Sequence, residues 1–349
     1  MKKALPIILV LLVALSTTGV ALAQDVEYGP VTQKIVDNNE VVCGINGVLP
    51  GFGAFNPELS TYEGFDTELC RAVAVAILGD ASRVNFLEVP AAELGVVLRI
   101  GDVDMLVSDT NWTIGRDTTW NATFGPIVFY DGQGVMVRND SEIADVSGLA
   151  DMTICVEDAS TAESNLASIL ATRGISAELN SFRTLDDAAQ AFFAGEEGCD
   201  AVTGDRTALI SERALDTNPS RYLLLGETLF RQPISPVTSQ DDPQFAEIVR
   251  WTVYGLMNAE ALGITSENVD EFLESDNLEV QQLLGIGDTP SGSYLGLQND
   301  FMVEVIRQVG NYGEIYERNL GAETPFSLNR GLNNLWFNGG LIYAPPFGG

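Results

Sequence analysis

The chain has 349 residues, 46% of them hydrophobic and 19% charged, which excludes wholesale disorder and exceeds what one core usually organises, so two domains are expected. Against 49 acidic residues stand 18 basic ones, a formal charge of −31 that repels phosphate backbones and anionic headgroups and speaks against nucleic-acid or basic-patch membrane binding. There is no histidine, which removes Ser-His-Asp and Cys-His catalysis and any imidazole-bound metal.

Residues 1–23 read MKKALPIILVLLVALSTTGVALA: two lysines, an apolar run from 4 to 15 and an A-x-A ending, the pattern of a cleaved secretory signal peptide. The apolar run is shorter than the ~20 residues that a membrane span needs. Gln24 follows, so no cysteine stands at the cleavage point and no lipid anchor is expected. An exported chain, periplasmic or extracellular, is the expectation.

A helix is expected over residues 32–39, then an apolar strand over 40–46 that ends in glycine turns. Residues 64–78 carry Phe65, Leu69, Val73 and Ile77 at helical spacing, with Asp66 and Glu68 in the first turn. A strand over 84–89, a helix over 91–100 and a strand over 104–107 complete a βαβαβ rhythm, which implies a mostly parallel sheet. Residues 129–137 are extended. A second set follows: strand 152–156, helices 161–172 and 186–194, strand 201–202 and helix 206–214. Prolines in 232–236 mark a crossing, and helices are read over 248–262, 269–273, 281–284 and 301–310.

Four cysteines allow three pairings, and export permits disulfides. Cys43 and Cys70 fall within one βα segment while Cys155 and Cys199 bracket another, which favours 43 with 70 and 155 with 199; four buried thiols are the alternative. Each bridge would contribute about 3 to 4 kcal/mol in the chain-entropy description. No C-x-x-C spacing suggests a metal site, and no cofactor motif is present.

If the chain crosses between α/β lobes near 130 and returns near 235, residues 24–129 plus 236–349 form a discontinuous first lobe and 130–235 a second. Two adjacent crossings make a hinge, and ligands of open parallel sheets bind at the carboxyl ends of the strands. The run DMLVSDTNWTIGR (104–116) delivers Asp109 and Asn111 to such an end, with Arg116 one turn later. A guanidinium fork among hydrogen-bond donors suits a carboxylate; the plainer reading is a surface arginine paired with a nearby acid. In CVEDAST (155–161), Ser160 and Thr161 stand at a helix start, where they bind a polar oxygen or simply cap the helix. Asp205, closing the strand in DAVTGD (200–205), suits an ammonium group or is a structural acid.

The stretch GFDTELCRAVA (64–74) resembles the signature of family 3 bacterial solute-binding proteins, the polar amino-acid receptors of ATP-binding-cassette (ABC) importers. The runs VVCGINGVLPGFGAF, SDTNWTIGRDT, YDGQGVMVR, CDAVTGDR and RGLNNLWFNGGLIYAPP are similar to its general L-amino-acid-binding branch. The resemblance spans nearly all of 35–347. It implies a two-lobed type II periplasmic binding protein fold and a receptor that closes around an L-amino acid and delivers it to a membrane permease. Such a receptor needs no catalytic residue, cofactor or metal, and a monomer is expected. Residue by residue, the resemblance implies that Arg116 holds the ligand carboxylate, with Asn111 and Asp109 beside it. It assigns the second lobe's hydroxyl pair to Ser160 and Thr161, the ammonium site to Asp205, and a ring over the ligand's aliphatic part to Phe52.

There are departures from the family pattern. Ala159 stands where a glycine usually precedes the hydroxyl pair, and Glu157 and Asp109 replace neutral side chains. The two extra acids would favour lysine, arginine or ornithine, or they share the chain-wide drift toward acidity. Two other functions fit the same scaffold. One is a ligand sensor for a membrane receptor; the other is an exported prephenate or arogenate dehydratase with Glu157 as general acid.

Overall fold

The computed structural model describes residues 28–158, 160–195 and 198–348. The expected signal peptide lies outside them. Two five- to six-stranded sheets, each flanked by helices, organise the α/β chain, with a separate small hairpin sheet.

The first sheet has the strand order Val84–Glu88, Val41–Ile45, Met105–Leu106, Val237–Ser239, Ala122–Phe124. The first three are parallel and the last two antiparallel, so the chain's return at 237 completes a sheet begun at 41. The helix Phe65–Leu78 covers it because its apolar stripe, Phe65, Leu69 and Val73, is fully buried. Its start demands glycine. Gly64 has φ 134°, and a Cβ there would lie 2.2 Å from the Phe52 carbonyl oxygen. Asp66 and Glu68 complement the dipole of its first turn.

The second sheet runs Glu178–Phe182, Thr153–Glu157, Ala201–Asp205, Phe129–Arg138, the last also pairing with Tyr222–Leu224 and Phe230–Ile234. Its first three strands are parallel, and the strands nearest the crossings are antiparallel. Phe129–Arg138 and Phe230–Ile234 are the two crossing strands, hydrogen-bonded to each other from Phe129 opposite Ile234 to Gln133 opposite Phe230. Pro233 lies inside the second of them. It has no N–H to give, but its carbonyl accepts from the Trp112 N–H at 2.9 Å and ties the 108–116 loop to the crossing.

Cys43 is bonded to Cys70 and Cys155 to Cys199, so one bridge joins sheet to helix beneath the first sheet and the other lies within the second unit. Asp242, fully buried, caps two helices at once. It accepts from the N–H of Val31 and Thr32 at the start of Pro30–Asn38 and from the N–H of Phe245 at the start of Pro243–Ala261.

Beyond the first sheet's helices, Phe301–Val309 and Tyr312–Leu320 complete its core. Phe52, Phe65, Phe129, Tyr312 and Tyr316 pack their rings together there. The last segment then runs back over the crossing. Arg330 forms an ion pair with Glu260, both largely buried, lies 5.3 Å from the ring centres of Tyr312 and Tyr316, and donates to the Asn333 carbonyl at 3.0 Å. The Asn333 side chain in turn accepts from the Tyr130 N–H at 2.6 Å and donates to the Tyr130 carbonyl at 3.3 Å.

Candidate functional site

The loop after Met105–Leu106 is held from below. Asp66, 1% exposed, accepts the Asp109 N–H at 3.0 Å, which fixes Asp109 at φ 45°, a left-handed conformation that aspartate tolerates. From that loop Asn111 bridges to Ile234 of the crossing strand, and the helix Ile114–Thr119 begins with a Thr113 cap. Arg116, in the first turn of that helix, reaches back to donate to the Asn111 carbonyl at 3.1 Å, and its guanidinium lies 5.2 Å from the Trp120 ring centre. The opposite wall comes from the second sheet. Asp205 ends its strand opposite Gln133 and accepts from the Gln232 side chain at 2.6 Å.

These groups are close enough to act on one another. Burial pushes the Asp109 carboxyl well above its usual range, and Asp131, Asp205 and Asp66 push it further while Arg116 opposes them. Burial also raises Asp205, against the Gln232 hydrogen bond and Arg116. Arg116 is lowered by burial and supported by Asp109 and Asp205. Glu157, at the end of its strand, is raised by burial and then by Asp205. Arg116, beyond the first sheet, and Asp205, at the end of a strand of the second, are thus close enough to act on each other.

The structure brings Asp109, Asn111, Arg116, Glu157 and Asp205 together. It treats the other three expected residues differently. The Ser160 hydroxyl accepts the Glu163 N–H at 3.1 Å as a helix cap, and Thr161 is exposed. Phe52 is 2% exposed and packs edge-on to Phe65 and Phe129, so its ring belongs to the first core rather than to an open cleft wall.

Sequence reasoning missed four contributors: Asp66, Asp131, Gln133 and Gln232. Asp131, on the first crossing strand, accepts from the Thr207 hydroxyl at 2.5 Å and the Thr207 N–H at 3.3 Å. The Gln133 amide donates to Ala162 and Thr203. Asp131 and Gln232, the latter on the second crossing strand, also line a cavity of about 690 Å³ that extends to Leu328 and Arg330. The signals for Asp66, Asp131 and Gln133 lay in runs already conspicuous, GFDTELC and YDGQGVMVR, where polar residues interrupt strongly apolar patterns.

Burial raises Asp66 and Asp131 from an ordinary 3.8 to about 7. Between those values the folded, unliganded protein holds protons that the unfolded chain has released, so its stability is greatest on the acid side and falls as pH rises through 7. Thermal unfolding without ligand is expected to give a lower melting temperature at pH 8 than at pH 5.5. A melting temperature that is flat or climbs over this interval would contradict the buried-acid description.

A two-lobed α/β scaffold that brings a cation from beyond one sheet close to an acid at a strand end of the other fits a ligand-capturing receptor. The chain belongs to the bacterial extracellular solute-binding proteins, family 3, whose profile matches residues 41–322. It is 42% identical over 308 residues to the general L-amino acid-binding periplasmic protein AapJ of Rhizobium johnstonii, covering 88% of this chain and 89% of that one. It is 40% identical over 313 residues to the glutamate/glutamine/aspartate/asparagine-binding protein BztA of Rhodobacter capsulatus, covering 88% and 90%. Among solved structures, a periplasmic binding protein from Brucella ovis with glutathione bound superposes with a TM-score of 0.84 at 38% identity, covering 90% of this chain and 98% of that one.

Proposed function

We propose that the protein is an exported receptor that captures an L-amino acid between its lobes and delivers it to the permease of an ABC importer. What supports this reading is that Arg116 follows a strand of the first sheet and Asp205 ends a strand of the second, yet the two are close enough to act on each other. An α-amino acid carries a carboxylate and an ammonium on one carbon, so only a ligand with both charges satisfies both walls, and binding and closure become one event. The relatives' names support the amino-acid class. The lobes are residues 24–129 with 236–349, and 130–235. Residues 1–23 are removed on export, the mature protein carries no lipid, and it works as a monomer without catalysing a reaction. Asn111 and Asp109 assist Arg116, while Glu157, Ser160 and Thr161 border the ligand from the second lobe.

The test is thermal unfolding of residues 24–349 against the twenty L-amino acids, ornithine and citrulline, with sugars and dipeptides as controls. A ligand at 100 times its Kd stabilises the folded form by about 2.7 kcal/mol, a rise in melting temperature of roughly 4 °C for a chain of this length. A shift with a sugar and with no amino acid would keep the receptor and remove the ligand assignment.

A further inference from the structure

The site holds more acidic groups than an amino-acid head group can use. Four carboxylates, Asp109, Asp131, Glu157 and Asp205, act on one another there, against the guanidiniums of Arg116 and Arg206. Arg206 gives one nitrogen, Nη1, to the carbonyls of Leu225 and Glu227. After a zwitterion has paired its carboxylate with Arg116 and its ammonium with Asp205, Asp109 and Glu157 have no cation.

Hydrogen bonding points the same way. Among the described residues, the buried side-chain atoms around the cleft that lack a partner are all oxygens: Asp66 Oδ1, Asp109 Oδ1, Asn111 Oδ1, Gln133 Oε1 and Gln232 Oε1. Both glutamines are fixed in that orientation, since their nitrogens already donate to Ala162, Thr203 and Asp205. Gln133 is 1% exposed, as is Asp66. A carboxylate or amide oxygen buried without a donor is costly, and a chain-wide drift toward surface acidity does not put one there. What completes the site must bring N–H groups, three from an ammonium or up to five from a guanidinium, in addition to those of its own α-ammonium.

We propose that Asp109 makes the site selective for L-amino acids whose side chain ends in a cation: ornithine, lysine and arginine. This rests on the amino-acid-receptor reading above and narrows it. Asp109 is suited to the role because Asp66 locks its backbone, so the loop that carries its carboxyl group is fixed before the ligand arrives. Acidic side chains, and a peptide such as glutathione that carries a net negative charge, meet the same carboxylates as repulsion.

Isothermal titration of the mature protein with arginine and with citrulline isolates the side-chain charge, because the two differ little in shape. Arginine is expected to bind at least tenfold more tightly than citrulline, with glutamate and glutathione giving no detectable heat. In Asp109→Asn the arginine advantage should shrink to less than threefold, and the melting temperature of the unliganded variant reports whether it folds. Should that variant not fold, the comparison of arginine with citrulline on the unaltered protein still decides. Equal affinity for the two ligands overturns the selectivity and leaves the receptor reading intact. A protein that binds no amino acid overturns both.

Discussion

Arg116→Ala is expected to weaken amino-acid binding by roughly 30-fold to a few thousand-fold, because truncating one partner of a buried charge pair costs about 2 to 5 kcal/mol or more. Asp205→Ala should do the same from the other wall. The two losses have different origins. Without Arg116 the ligand carboxylate loses the guanidinium that opposes Asp109 and Asp205 and meets the acids Asp109, Asp131 and Asp205 instead. Without Asp205 the ammonium loses its acceptor, and the Gln232 amide loses the carboxylate it holds at 2.6 Å. Arg116 also lies against Trp120 and donates to Asn111, so its removal should cost some loop order as well. Titration calorimetry on both variants, with circular dichroism to verify folding, is the measurement. Unaltered affinity in folded forms of both would sink the assignment of the head-group site.

The second large effect lies far from the ligand's charges. Arg330→Met is expected to destabilise the protein by about 3 to 5 kcal/mol, since it leaves the Glu260 carboxylate buried without its cation. Arg330 is 12% exposed and Glu260 15%, so water offers little compensation. The same change removes two contacts with the faces of Tyr312 and Tyr316 and the donor to Asn333, whose side chain clips the backbone of the first crossing strand. The melting temperature should fall by roughly 4 to 7 °C. Replacing Glu260 by Gln in the same chain should restore part of the loss, because the unpaired charge is then gone. If Arg330→Met melts within a degree of the unaltered protein, the closing segment contributes nothing to the fold.

Helices with an apolar stripe were legible in the sequence because burial of one face leaves a period of 3.6: those at 65–78 and 301–309 are found within a few residues of their expected limits. The hairpin sheet at 48–63 was not, since strands of two to four residues carry no measurable period. Phe230–Ile234 was read only as a proline-marked crossing; as an edge strand it tolerates Pro233 where a central strand would not. Tyr312–Leu320 escaped because Gly310 and Gly313 flank its start, although Asn311 and Glu314 form a reciprocal capping box there. In the site, residues at the ends of apolar strands, Asp109, Asn111 and Asp205, could be picked out from the pattern alone. Asp66 could not. Its position suggested only a favourable charge in a helix's first turn, whereas its buried hydrogen bond is to a residue 43 positions away.

The two disulfides have a bearing on motion. Cys43–Cys70 and Cys155–Cys199 each stay on one side of the crossing strands. Neither therefore limits how far the halves can swing apart. Oxidation shrinks the unfolded ensemble and stiffens each half as a body, while the angle between the bodies stays free to respond to ligand. A redox change in the surroundings would then be read out as altered durability of the receptor, with its capture and release cycle left in step.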